Sequence, residues 1–262
     1  TNTTKTNLVT QLKKYNVAAV RPEIVDPETT QILLTSNIKF DAKSTTKTAD
    51  TIKSNVLTTL TNYNTNTLSQ FDGIFRYSKV SGLIDATDSS ILSNITTLKI
   101  RKDFTPTLSS STKYSVYFRN ALYNPHSGHN SNAGGILESS GFKVSGDSST
   151  IFYLDDDGQG NIRRYSFSGA TRVYANETQG TIDYDTGAII INSLSVLSIE
   201  NIRGAASSKI ELTVLPSSND VVPVRDQILE IDTANSSITV TADTFVGGSA
   251  DAGVGYTTSS SY

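Results

Sequence analysis

In the second half of the chain, apolar and polar residues alternate in short runs, and each run stops at Gly, Asn, Asp or Ser. Strands send successive side chains to opposite faces, so this half is β-structured. KYSVYFRNAL (113–122) places Tyr114, Val116, Phe118 and Leu122 on one face. TIFYLDD (150–156) turns at DGQG into NIRRYSF, and GTIDY (180–184) turns at Asp185-Thr186-Gly187 into AIIIN. KIELTVLP (209–216), DQILEID (226–232) and SITVTAD (237–243) are further strands. Short strands joined by such turns predict a mostly antiparallel β domain over 107–246, a sandwich or partly open barrel.

The first half is different. Residues 6–16 carry Leu8, Leu12 and Tyr15 at helical spacing. With the extended connector VRPEIVDPE, held by Pro22 and Pro27, they make an N-terminal region over 1–30. QILLTSNIKFD (31–41) alternates, with Ile32, Leu34, Ile38 and Phe40 on one side. A helix follows over 49–69, with Ile52, Val56, Leu60 and Tyr63 on one stripe and Thr and Asn opposite. Those are weak helix formers, so packing onto a sheet must hold it. A shorter helix at 74–84 and a strand at 94–104, with Leu98, Ile100 and Phe104 inward, complete a strand–helix–helix–strand unit over 31–106. The expected class is α+β. Residues 247–262, rich in Gly and Ser, read as a flexible tail or an arm that orders on a partner.

Composition narrows the chemistry. The 262 residues carry a net charge of −3, and no Lys/Arg block marks a nucleic-acid face. Ile-Arg-Lys at 100–102 comes nearest, and a strand divides it between two faces. With no cysteine there is no disulfide framework, thiol chemistry or zinc ribbon. No apolar run reaches the roughly 20 residues of a membrane span. Partners are therefore expected to be neither nucleic acid nor membrane. The chain opens without methionine on TNTTKTNLVT, which reads as the C-terminal part of a longer polypeptide.

Six features could carry chemistry. His126 and His129 lie in NPHSGHNSNAGG, but Pro125 and Gly128 argue against a helix that would align them, and further zinc ligands would have to be carboxylates or water. Asp155, Asp157 and Asn161, with Gly158 and Gly160, have the flavour of a calcium loop. The twelfth position from Asp155 is Ser166, where an EF-hand loop needs a bidentate Glu, so a hairpin tip is the better reading. No Gly-x-Ser-x-Gly elbow accompanies the serines. Asp183 and Asp185, flanking Tyr184, could serve as an acid–base pair, although solvated turn flanks are the commoner role of such residues. GGSADAGVG (247–255) lacks the Gly-Lys-Ser/Thr of a phosphate loop. Tyr63, Tyr114, Tyr117, Tyr153, Tyr165, Tyr174 and Tyr184 could stack on sugars, but their alternation places most in or beside the core. No catalytic, cofactor-binding or metal residue is expected. The features suit a protein that holds shape and offers surfaces.

Several strings then carry a resemblance: LKKYNV (12–17), FRYSKVSGLID (75–85), SILSN (90–94), YNPHSGH (123–129), LDDDG (154–158), GTIDYDTGAI (180–189) and NDVVPVRDQILEID (219–232). Together they make the chain resemble the C-terminal part of the large baseplate wedge protein of contractile-tailed phages, those of cyanophage-like myoviruses in particular. Its strand–helix–helix–strand unit is similar to the repeat of baseplate J-like proteins. The resemblance implies a virion protein, assembled in the host cytoplasm, that pairs with itself and joins other wedge proteins in a ring around the tail hub. It implies that this ring changes shape when the sheath contracts, and it implies no catalytic or metal residues. Two other readings come from the residues alone: a glycan-binding surface or adhesin, and a hydrolase built on the His126/His129 loop.

Overall fold

The computed structural model describes residues 2–15, 24, 27–128, 135–224 and 226–243. The fold is α+β. Helix α1 (Asn2–Lys13) forms as expected, but its stripe is exposed: Leu8, Leu12 and Tyr15 are 51%, 41% and 85% exposed. Of the connector's prolines, Pro22 lies outside the described residues, and Pro27 directly precedes the first strand.

Strand β1 (Glu28–Phe40) buries Thr30, Ile32, Leu34, Ser36, Ile38 and Phe40 on one face. Helix α2 (Ala49–Tyr63) sets Ile52, Val56 and Leu60 into the same core. Thr48 caps it by accepting the Thr51 N–H. Its outer threonines bond back one turn, Thr58 to the Ser54 carbonyl and Thr61 to that of Leu57, which lets poor helix formers sit there. Over Asn64–Leu68 the helix widens into one π turn. Helix α3 (Tyr77–Asp85) buries Val80 and Ile84, and Asp220 accepts the Tyr77 N–H at its start. Strand β2 (Ile91–Phe104) returns antiparallel to β1. The strand–helix–helix–strand order read from sequence is present.

Ten strands follow β2: β3 (Thr112–Tyr117), β4 (Glu138–Ser139), β5 (Phe142–Val144), β6 (Asp147–Asp156), β7 (Asn161–Ser168), β8 (Thr171–Asp183), β9 (Ala188–Leu194), β10 (Val196–Ile199), β11 (Ile210–Val214) and β12 (Gln227–Ile231). An eleventh, β13 (Ser237–Ala242), closes the described chain. They do not divide between sheets in sequence order. The second sheet runs β10-β5-β6-β7-β8-β9-β3 and is antiparallel throughout. The last three strands and β4, which pairs with β11, instead join the sheet of β1. There β12 and β13 lie end to end beside β1, both parallel to it, and β11 pairs with β2. The strands after residue 106 thus serve both sheets. Alternation fixes which face a residue takes, but not the edge its strand will join. β1 has 13 residues and an apolar row that β2 covers on one edge only. The apolar rows of β12 and β13 extend it on the other.

The second sheet curls strongly. Leu108, ahead of β3, bridges Val196 of β10, and the Ser109 N–H donates to the Val196 carbonyl at 2.7 Å. The chain just ahead of β3 thus meets β10, giving a partly open barrel. Gly180 is required where β8 crosses β9, since a Cβ there would lie 2.1 Å from the Ile190 carbonyl oxygen. One continuous apolar core links the sheets, running from Ile32 and Leu60 to Phe118, Ile189 and Leu194.

Candidate functional site

Three of the loops singled out in sequence meet at one end of the curled sheet. The Gly128 N–H donates to the Gly158 carbonyl at 2.8 Å, and the Asn124 side-chain amide donates to the same oxygen at 3.2 Å. Ile182 N–H donates to the Gly160 carbonyl at 2.9 Å. Between the loops lies an open cleft of about 410 Å3, lined by Asn124, Ser127, Gly158, Gly160, Asp183 and Asp185 among others. His126 is exposed, with Nδ1 3.3 Å from the Ser127 carbonyl oxygen. His129 lies outside the described residues, as does GGSADAGVG at 247–255.

The triple aspartate does not act as one group, because a strand sends its members different ways. Asp155 is fully buried on the outer face of β6, where it accepts from Arg163 Nε (3.0 Å), Arg172 Nη1 (2.6 Å) and the Tyr174 hydroxyl (3.0 Å). Burial raises its pKa, and the two guanidiniums pull against that shift. Asp156, also fully buried, points the other way. Its Oδ1 accepts the Ile136 and Leu137 N–H groups at 2.6 and 2.7 Å, and its Oδ2 accepts the Tyr184 hydroxyl at 2.6 Å. Tyr184 titrates far above an ordinary tyrosine, chiefly from burial and then from that carboxylate. Asp157 organises the hairpin tip, accepting the Gln159 and Asn161 N–H groups at 2.8 and 2.9 Å. Gly158 and Gly160 take the positive φ values, +72° and +100°, that the tip demands. Among the described residues, no three His, Asp or Glu side chains are grouped to hold a metal ion.

Asp183 is a turn cap. It accepts the Asp185 and Thr186 N–H groups at 2.9 and 3.2 Å. The Thr186 side chain first, and then these backbone bonds, lower its pKa, the reverse of what a catalytic acid requires. The tyrosines separate into two sets. Tyr63, Tyr114 and Tyr184 pack against the core. Tyr153, Tyr165 and Tyr174 form, with Phe167, an aromatic ladder on the outer face of β6–β8, and Tyr117 is exposed. Arginines already cover two of the rings: Arg163 lies 4.2 Å from the centre of Tyr174, and Arg172 lies 4.6 Å from that of Tyr165. Burial pushes the Tyr165 hydroxyl up to about 12.

One charged centre escaped sequence reasoning. Arg101 is only 4% exposed, although it faces away from the core row of β2. Its Nε lies 3.1 Å from Asp103, and its Nη1 lies 2.9 Å from Asp232 and 3.4 Å from Glu211. These are contacts by distance; neither nitrogen is aligned for a hydrogen bond. Nη2 donates to the Gln31 side-chain oxygen. Arg203 clasps Glu211 from outside with two bonds, 3.0 and 2.8 Å. Burial raises the Asp103 pKa, and Arg101 opposes the shift. The available signal was Arg101 itself, a cation inside an alternating strand.

Fold and site together describe a scaffold. Its buried charges tie strand to strand and loop to loop. Residues 29–103, which span β1 to β2, match the family model described as baseplate structural protein gp6, C-terminal domain III. That agrees with the resemblance to the C-terminal part of a baseplate wedge protein. The match supports a structural role in a phage tail baseplate. A search of curated proteins found no match. Among the described residues, no helix is long and apolar enough to cross a membrane.

Proposed function

We propose that the chain is a structural subunit of a phage baseplate that pairs with itself and with neighbouring wedge proteins. Together they build a ring around the tail hub that rearranges as the sheath contracts. The match of residues 29–103 to the gp6 C-terminal domain carries this reading. The internal use of Asp155, Asp156 and Arg101 supports it, because those charges serve rigidity. The glycan reading loses much of its motive, since guanidiniums occupy ring faces a sugar would need. Deleting the gene that encodes this chain in its phage tests the proposal. Particles without assembled contractile tails, restored by supplying the gene in trans, are expected. Normal tails with full infectivity would contradict it.

A further inference from the structure

We propose that strand β13 is a docking edge for a second copy of this chain, the two β13 strands pairing antiparallel across a twofold axis at Thr239. The inference rests on the self-pairing reading above and names the surface that makes the pair.

Open sheet edges invite pairing, and proteins usually guard them with charges, proline, short length or a covering element. The other edges here are guarded. In the curled sheet, the chain ahead of β3 meets β10 through Leu108 and Val196, and β3 itself carries the charged Lys113. In the sheet of β1, β4 has only two residues. β12 carries Glu230, and its Ile231 N–H is taken by the Asn64 side chain at 2.7 Å. β13 differs. Its sequence, SITVTA, contains no charge and no proline, and it favours strands. Among the described residues nothing pairs with its outer side.

A groove of about 190 Å3 runs beside this edge, between Ala49, Asp50 and Lys53 of α2 and Ile238, Thr239 and Val240 of β13. Asp50 and Lys53 are exposed, and neither has an ion-pair partner among the described residues. An acid and a base one turn apart are complementary to themselves under a twofold rotation. An axis through Thr239 sets the two α2 helices side by side and antiparallel, with Asp50 facing the partner's Lys53.

The register follows from alternation. Centred on Thr239, Ile238 lies opposite the partner's Val240 on the helix-covered face. Ser237 lies opposite the partner's Thr241 on the open face. A slip of one residue would set apolar groups against hydroxyls. Centring on Val240 keeps the faces but replaces both Ile–Val pairs with Ile–Ala pairs.

The chain lacks cysteine, so single cysteines report cleanly. Under mild oxidation, Thr239→Cys is expected to form a disulfide-linked dimer. Thr241→Cys is not, because its own copy lies four positions along the strand, about 13 Å away. Thr239→Lys sets two cations together on the axis. It is expected to weaken the dimer at least about tenfold in sedimentation, with an unchanged circular dichroism spectrum. A dimer that resists Thr239→Lys and gives no Thr239→Cys disulfide would overturn this surface and leave self-pairing standing. A chain that stays monomeric up to millimolar concentration would overturn both.

Discussion

Asp156 and Arg101 are both buried charges, yet each is neutralised by the other's opposite strategy. In the curled sheet, Asp156 takes only neutral donors: the backbone N–H groups of Ile136, Leu137 and nearby Gly158, and the Tyr184 hydroxyl. In the helix-backed sheet, Arg101 draws carboxylates from β2, β11 and the end of β12. The difference follows from what each place must hold. Around Asp156 are loops, whose backbone donors have no ladder to join, and a carboxylate supplies acceptors. Around Arg101 the ladders are complete. The guanidinium instead fixes which strands lie side by side.

The largest expected effect breaks the first arrangement. Asp156→Ala leaves the Ile136 and Leu137 N–H groups and the Tyr184 hydroxyl without their acceptor. The expected loss is about 3–5 kcal/mol in urea unfolding. A loss below about 1 kcal/mol would mean the 135–137 segment is held by something else. Arg101→Met tests the second arrangement and is expected to cost less, about 2–3 kcal/mol. Glu211 keeps Arg203, and Asp103 is still reached by water. Equal losses for the two variants would erase the proposed distinction.

Gly180→Ala probes the curled sheet through backbone sterics alone. Its Cβ would meet the Ile190 carbonyl, and a drop of about 1–3 kcal/mol is expected in thermal unfolding. The smallest effect concerns acid. Lys47, with Ser90, holds Asp88 well below the usual carboxylate range, at about 2. A depressed carboxylate stabilises the fold above its unfolded pKa of 3.8, and that contribution fades as pH falls towards about 2. Lys47 is half exposed, so screening keeps the contribution below about 1 kcal/mol. Asp88→Asn is expected to flatten the stability profile between pH 4 and pH 2 relative to the parent. An unchanged slope there would contradict this assignment.

Most individual elements were legible in the sequence, because their signals are local. The alternation at 31–41 and 94–104, the stripe of Ile52, Val56 and Leu60, and the Asp157–Gly160 tip each state their own conformation. Pairing of distant segments was not legible. DQILEID and SITVTAD announce strands, but their place beside β1 depends on a surface nearly 200 residues earlier. The charged centres failed for the same reason. LDDDG reads as one acidic cluster until the strand divides it, and the partners of Arg101 lie at 103, 211 and 232. The α1 stripe was read correctly as a helix, yet the sequence could not say that Leu8, Leu12 and Tyr15 would remain in solvent.

Electron cryo-microscopy of the intact phage tail tests the central claim most directly. The account predicts density for both sheets of this chain within a continuous ring around the tail hub, with copies in twofold contact. Density confined to a fibre tip, the capsid or the tail lumen would contradict it.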